Sequence, residues 1–152
     1  MNWYLKKCHL KFRKDVKTMT PDQISKSGTE DSIQAAYFAS IRKLPQAKWI
    51  HAIPNGGDRN IAVASMLKAT GVRSGVWDVC IPFPSHDGRY CMAYIEFKRP
   101  KYRNALHGGL SPNQLEFGEC MHARGSIRLK VCYDWRSALD FTCEYLGLNN
   151  PT

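Results

Sequence analysis

Three charged residues near the ends of two apolar segments have the types and the spacing for metal-assisted chemistry on a phosphate. Asp78 lies within segment 76–81, and Glu96 and Lys98 end segment 92–98. Both segments are short and apolar, as strands are. Side chains alternate along a strand, so Glu96 and Lys98 point to the same face. If the strands are neighbours, two carboxylates and one ammonium group converge into a site for a hard cation, which is the minimum apparatus for phosphodiester hydrolysis.

The same three residues have a simpler interpretation, in which they form an ordinary cross-strand ion pair. An aspartate followed later by Glu-x-Lys is common by chance in a chain with 23% charged residues. A carboxylate within an apolar strand is nevertheless costly to bury unless something pairs with it. The pattern alone does not choose between the two interpretations, so the rest of the sequence has to decide.

The composition is that of one globular domain with an anionic partner. The chain has 152 residues, 43% of them hydrophobic, and a net charge of +9, which favours nucleic acid over an acidic membrane surface. No apolar run approaches the length that spans a bilayer. The start has no apolar signal segment, and the six cysteines form no Cys-x-x-Cys pair. We therefore expect a cytoplasmic protein with reduced thiols and no membrane partner.

The first part of the chain is strongly basic and contains several aromatic residues. Residues 1–28 hold seven lysines and arginines against two aspartates, and so carry more than half of the net charge of +9. A nucleic-acid-binding arm, a dimerisation arm and a solvated extension all fit this composition. We predict a basic extension over residues 1–28 and a globular domain over residues 29–148.

The elements that must position the three charged residues follow from periodicity and turn signals. Ser27-x-x-Glu30 is a capping-box pattern for the first helix, and Ser111-x-x-Gln114 is one for the third. The third helix separates two strands far enough for a right-handed parallel crossover. We therefore predict an α/β fold with a mixed central sheet flanked by helices. The predicted helices cover residues 28–44, 61–69, 112–124 and 135–146, and the predicted strands cover 49–53, 76–81, 92–98 and 127–133.

Several segments of the globular part stand in a characteristic order and spacing. They are Glu30, 54–59 (PNGGDR), 67–78 (LKATGVRSGVWD), 95–98 (IEFK) and 110–114 (LSPNQ). Together they resemble the virus-type replication-repair nuclease (VRR-Nuc) domain of the PD-(D/E)XK nuclease superfamily. The resemblance covers residues 29–146. Trp77 departs from the family pattern, in which a proline usually precedes the aspartate.

The resemblance implies a restriction-endonuclease-like αβββαβ core and an endodeoxyribonuclease that depends on Mg²⁺ or Mn²⁺. Standalone members of the family look like dimeric junction-resolving enzymes of phages and bacteria. The resemblance therefore also implies branched DNA as substrate, a role in replication or repair, and a phage or prophage as one source of such a chain. Resolving a Holliday junction by two symmetric cuts needs two active sites, which agrees with a homodimer.

The resemblance also implies roles for individual residues. Asp78 and Glu96 would bind the metal with the Phe97 carbonyl, and Lys98 would orient the attacking water or stabilise charge on the phosphate. Glu30 would be a further catalytic and metal-binding acid and Gln114 a catalytic side chain, although a capping box alone explains both. A glycine-rich loop and basic side chains are expected to contact DNA phosphates. These residues are Asn55, Gly56, Gly57, Arg59, Lys68, Arg73, Arg99 and Lys101.

Three other functions stay open on the sequence. A 5′-flap or restriction-like nuclease would use the same fold but cut near a 5′ end or at a fixed base sequence. A non-catalytic DNA-binding module would keep its DNA affinity when Asp78 is replaced. A basic protein whose charge serves only solubility would show no steep salt dependence of DNA binding.

Overall fold

The computed structural model describes residues 19–54 and 61–151, which form a mixed four-stranded sheet flanked by helices. The α/β class and the mixed sheet predicted from the sequence are confirmed. No helix in these two ranges is long and apolar enough to cross a membrane. The helices are α1 (Pro21–Ile24), α2 (Glu30–Ser40), α3 (Ile61–Ala69), α4 (Pro112–His122) and α5 (Trp135–Leu146). The strands are β1 (His51–Ala52), β2 (Val79–Ile81), β3 (Met92–Phe97) and β4 (Ile127–Cys132).

The sheet has the order β1-β2-β3-β4, in which β3 and β4 are parallel and the other two pairs are antiparallel. β1 and β2 are shorter than predicted, and Asp78 lies directly before β2. Val79 pairs with Ile95 across β2 and β3. Continuing this register by one residue places Asp78 opposite Glu96, on the same face of the sheet. Strand pairing thus brings the two predicted acids together.

The opposite face of the sheet packs on α2 and α5 and forms the core. Tyr37 of α2 connects this helix to the sheet and to α5. Its ring centroid lies 5.6 Å from that of Phe97 on β3. Its hydroxyl lies 2.9 Å from the hydroxyl of Thr142 on α5, within hydrogen-bond distance. Fully buried core residues of β2 and β3 are Val79, Ile81, Ala93, Ile95 and Phe97.

Residues 19–28 also pack on this core. Ile24 of α1 is buried in it. Asp22 accepts two hydrogen bonds from the Arg136 guanidinium, both at 2.7 Å, and one from the Trp135 indole at 3.2 Å. The domain boundary after residue 28 stays a prediction, but the folded core already includes part of the segment before it.

The start of α2 differs from the predicted capping box. Thr29 is the N-cap, and its hydroxyl accepts a hydrogen bond from the Ser32 amide at 3.2 Å. Ser27 instead ends the preceding 3-10 turn, and Gly28 with φ of 64° redirects the chain into Thr29. Glu30 is therefore the first residue of the helix. The interpretation that a capping box from Ser27 explains Glu30 is wrong.

Candidate active site

Asp78, Glu96 and Lys98 converge where β2 begins and β3 ends. The Phe97 amide donates a hydrogen bond to Asp78 Oδ2 at 2.8 Å, which ties this acid to the neighbouring strand. Lys98 Nζ lies 2.9 Å from Glu96 Oε1, and both side chains are buried. The structure thus brings together the three residues from which the sequence interpretation began, and Glu96 and Lys98 form an ion pair within one segment.

The two carboxylates lie in an environment that disfavours two negative charges. Burial, and after it the charge of Asp78, raises the pKa of Glu96 to about 8. Burial also raises the pKa of Asp78, against the lowering effect of the hydrogen bond from the Phe97 amide. Lys98 compensates for one of the two charges, so a further positive charge would stabilise the ionised pair.

Glu96 Oε2 is buried and has no hydrogen-bond partner within residues 19–54 and 61–151, which makes it the strongest indication of a cation site. A divalent cation beside it would give this oxygen a partner and would offset the repulsion from Asp78. The N–H and C=O groups of a residue in an antiparallel pair point to the same neighbouring strand. The Phe97 carbonyl is therefore expected on the Asp78 side, where its N–H already points. These oxygen donors fit Mg²⁺ or Mn²⁺.

The available protein donors are few. Within residues 19–54 and 61–151, no group of three or more His, Cys, Asp and Glu side chains is placed to hold a metal ion. Two carboxylates and one main-chain carbonyl are nevertheless enough for Mg²⁺, which keeps several waters and binds substrate phosphates. The donor chemistry therefore favours Mg²⁺ at a partly hydrated site over a fully protein-enclosed ion.

Glu30 approaches the site from the first turn of α2 and is half-buried. Besides burial, the charges of Glu30 and Asp31 raise the pKa of Asp78. Glu30 thus lies close enough to act on Asp78 electrostatically, but not in one metal-binding cluster with Asp78 and Glu96. The sequence analysis missed Asp31, although its position in the same first turn was a usable signal.

Gln114 forms the predicted capping box and also contacts Glu96, while its catalytic role stays a prediction. Its Oε1 accepts a hydrogen bond from the Ser111 amide at 2.9 Å, and the Ser111 hydroxyl accepts one from the Gln114 amide, so the capping box is present. Its Nε2 donates to Glu96 Oε1. Because a backbone N–H can only donate, the cap requires the amide oxygen at Ser111 and leaves the NH₂ group for Glu96. The helix cap therefore orients the side chain that reaches the site.

Trp77 connects the Asp78 segment to α4. Its indole N–H donates to the Gln114 carbonyl at 3.0 Å, and the buried ring lies 6.4 Å from that of Phe117. A Cβ on Gly118 would lie 3.2 Å from Trp77 Cζ2, so helix and indole are in close contact. The sequence analysis treated Trp77 only as a departure from the family pattern. Its partner lies 37 positions away, and no local pattern indicates that pairing.

The residues before Trp77 pack on the same helix start. The Asn113 side-chain amide donates to Ser74 Oγ at 2.6 Å. Gly75 has φ of 90°, and a Cβ there would lie 2.5 Å from the Asn113 carbonyl oxygen. Only glycine fits this contact without displacement. Segment 74–77 therefore holds the first turn of α4, and with it Gln114, against the strand end that carries Asp78.

The predicted DNA contacts fall into three groups. Arg99 and Lys101 are exposed and follow Lys98 directly in the chain. Lys68 and Arg73 are exposed at the end of α3, where the Arg73 guanidinium donates to the Lys68 carbonyl at 3.1 Å. The others lie outside the described residues, and these are Asn55, Gly56, Gly57 and Arg59.

Comparison with known proteins agrees with this architecture. The structure is similar to a solved structure described as a "VRR_NUC domain protein", with a TM-score of 0.60 and 24% sequence identity over 80% of this chain and 91% of that chain. No family model matches the sequence. No curated protein matches it either. The resemblance to the VRR-Nuc domain that the sequence predicts is confirmed for the fold, which is VRR-Nuc-like.

Proposed function

We propose that this protein is a metal-dependent, structure-selective DNA endonuclease. The observation that carries the proposal is Glu96 Oε2, which is buried beside a second carboxylate, Asp78, and has no hydrogen-bond partner in the described part of the chain. The ion pair with Lys98 does not compensate this oxygen, because Lys98 contacts Oε1. The VRR-Nuc-like fold supports the same function, since a solved structure that resembles this one is named for that domain.

Each site residue has a role that follows from its contacts. Asp78, Glu96 and the Phe97 carbonyl would hold Mg²⁺ or Mn²⁺, which when bound lowers the pKa of a water molecule and offsets charge on the phosphate. Gln114 and Lys98 both contact Glu96 Oε1, which leaves Oε2 for the cation. Lys98 also supplies N–H donors that orient the attacking water or stabilise charge on the phosphate.

Glu30 is proposed as a further acid of the site. It acts on Asp78 through its charge, which adds to the negative potential that attracts a cation. We propose that it binds a second metal ion or a water of the first one. Replacing Glu30 by glutamine would then weaken metal-dependent activity less than replacing Asp78.

The basic surface next to the site supports DNA as the substrate. Arg99 and Lys101 follow Lys98 and would bind the phosphates nearest the cut. More distant phosphate contacts are proposed for Lys68, Arg73, Arg59 and the loop Asn55-Gly56-Gly57. One such site cuts one strand, so we propose a homodimer that cuts the two symmetric strands of a four-way junction, in replication or repair.

Cleavage of defined substrates tests the proposal. Wild type, Asp78→Asn and the control Glu144→Gln, which changes an exposed acid on α5, would be incubated with a labelled four-way junction, a 5′ flap and plain duplex. Each reaction would contain Mg²⁺, Mn²⁺ or EDTA. We expect paired, metal-dependent cuts on the junction with wild type and Glu144→Gln, and none with Asp78→Asn.

The other results have distinct meanings. Metal-dependent cuts only near a 5′ end would support the nuclease but replace the junction by a flap as its substrate. Tight DNA binding without cleavage in any metal would overturn the enzyme proposal in favour of a binding module. Equal activity of wild type and Asp78→Asn would show that Asp78 has no role in cleavage.

A further inference from the structure

We propose that the loop over residues 99–110 is a wedge that unstacks bases of bound DNA, with Leu106 as its apolar tip. The inference rests on the proposed function, because it concerns how the same protein selects distorted DNA. It would explain why this loop combines exposed cations with an exposed aliphatic side chain. We call residues 99–110 the wedge loop.

The first observation is the exposure of Leu106. Its relative exposure is 82%, the highest among the large apolar side chains in the part of the chain that the structure describes. Exposing a leucine gives up the free energy that burial would contribute. Around it in the wedge loop, Arg99, Lys101 and Arg103 are exposed. Cations on the sides and an aliphatic group at the tip complement a duplex, which carries phosphates outside and apolar base faces inside.

The second observation is that the tip is held in place by the loop backbone. His107, Gly108 and Gly109, which follow Leu106, have φ of 52°, 64° and 82°. A left-handed conformation is unfavourable for a residue such as histidine, so surrounding contacts must maintain it. The Tyr133 hydroxyl donates to the Gly108 carbonyl at 3.0 Å.

A further contact fixes the same turn from the other side. A Cβ on Gly109 would lie 2.7 Å from Tyr102 Cβ, so backbone and tyrosine are in direct contact. The Arg103 guanidinium lies over the Tyr133 ring and donates to Asp134 at 3.2 Å. The wedge loop is therefore a packed turn, and its leucine points outward although the loop is well anchored.

The third observation is the position of the wedge loop relative to the candidate active site. The loop starts directly after Lys98 and ends at Ser111, whose amide donates to the Gln114 side chain. Both ends are thus fixed to residues that contact Glu96. The wedge loop thus borders the candidate active site, and on this proposal DNA held at the site reaches Leu106. Unstacking a base step costs free energy in a regular duplex and costs least where pairing is already disturbed, so the wedge would favour branched DNA.

Base unstacking can be measured directly with 2-aminopurine, whose fluorescence rises when it leaves the stack. The protein would carry Asp78→Asn, so that the DNA stays intact, and 2-aminopurine would be placed in turn at each position around the branch of a four-way junction and in a plain duplex. Binding would be followed separately by the polarisation of an end-labelled junction. The variants are Leu106→Ala, Leu106→Met, which keeps the apolar bulk, and Met66→Ala, which removes another exposed apolar side chain (59% exposed).

We expect a several-fold fluorescence increase at one or two positions of the junction, retained with Leu106→Met and Met66→Ala and lost with Leu106→Ala. Junction affinity should change less than about tenfold, because phosphate contacts supply most of it. An unchanged signal with Leu106→Ala, or an equal loss with Met66→Ala, would overturn the wedge. If Leu106→Ala changed only the oligomeric state of the protein, Leu106 would belong to a protein–protein interface, and the wedge proposal would be overturned. If the polarisation assay detected no binding of the junction by the protein or by any of its variants, the proposed function itself would be overturned.

Discussion

Replacing Glu96 by glutamine removes the charge that burial disfavours and keeps the side-chain volume. In the absence of metal, the pKa of Glu96 is raised from an ordinary value of 4.5 to about 8. The folded protein therefore binds this proton more tightly than the unfolded chain does. The resulting stabilisation is fully present below pH 4.5 and is lost as the pH rises through about 8. The variant has no such proton to lose at this position.

The size of the effect follows from 1.36 kcal/mol for each unit of pKa difference. Between pH 4.5 and pH 7 the wild type loses roughly 3 kcal/mol of its free energy of unfolding through Glu96, and roughly 5 kcal/mol by pH 9. The change is large against the total stability of a domain, about 5–15 kcal/mol. Without the charge at position 96, Asp78 also ionises more easily, which favours the variant in the same direction.

Urea unfolding in EDTA at pH 5, 7 and 9, followed by fluorescence of the four tryptophans, measures this difference. We expect Glu96→Gln and wild type to be nearly equal at pH 5 and the variant to be several kcal/mol more stable at pH 9. Glu144→Gln, which changes an exposed acid, should follow wild type throughout. Saturating Mn²⁺ should then stabilise wild type at pH 8 and leave Glu96→Gln almost unaffected.

A stability difference that stays constant between pH 5 and pH 9 would refute the reasoning. It would mean that Glu96 titrates near its ordinary value in the folded protein, so that Lys98 and Gln114 already compensate its charge fully. The buried Oε2 would then no longer indicate a cation. Stabilisation of Glu96→Gln by Mn²⁺ as strong as that of wild type would point to a metal held elsewhere.

Three further predictions concern the support of the site and its substrate. Trp77→Phe keeps a ring but removes the donor to the Gln114 carbonyl. Steady-state kinetics should show kcat lowered roughly tenfold with little change in KM, and an unchanged kcat would mean that this hydrogen bond does not help to position the site. Gly75→Ala should lower the unfolding free energy by about 2 kcal/mol more than Gly71→Ala, because both have positive φ but only Gly75 contacts Asn113; equal losses in urea titrations would contradict this. Raising salt from 50 to 200 mM should weaken DNA binding roughly 40-fold for about three phosphate contacts, and a flat response in polarisation assays would argue against phosphate recognition.

The convergence of Asp78, Glu96 and Lys98 could be predicted because it depends on two rules with little freedom. Side chains alternate along a strand, and neighbouring strands of opposite direction bring residues of one face together. If both segments are strands, the only further assumption needed is that the two strands are neighbours in the sheet. The same holds for the mixed sheet, since a helix between two strands is the usual connection of a parallel pair.

Contacts that depend on the docking of separate elements could not be predicted in the same way. The hydrogen bond from Trp77 to the Gln114 carbonyl depends on how α4 lies on the sheet, which no local pattern encodes. The N-cap of α2 was misplaced by two residues because Ser27 and Thr29 are both good caps, and the left-handed turn at Gly28 decides between them. The sequence left Gln114 as either a helix cap or a site residue. The structure shows the capping box and a hydrogen bond from the same side chain to Glu96, and its catalytic role stays a prediction.

The hydrogen bonds from α1 and α2 to α5 have a consequence for the order of events during synthesis. Tyr37 bonds to Thr142, 105 positions later, and Asp22 bonds to Arg136, 114 positions later. Until the ribosome has made residues 135–146, the sheet face that α5 covers stays partly exposed, and the strands that carry Asp78 and Glu96 lack a closed core behind them. A nascent chain without α5 therefore lacks this support for the final geometry of the two acids. The proposed nuclease is expected to become active only after α5 is translated.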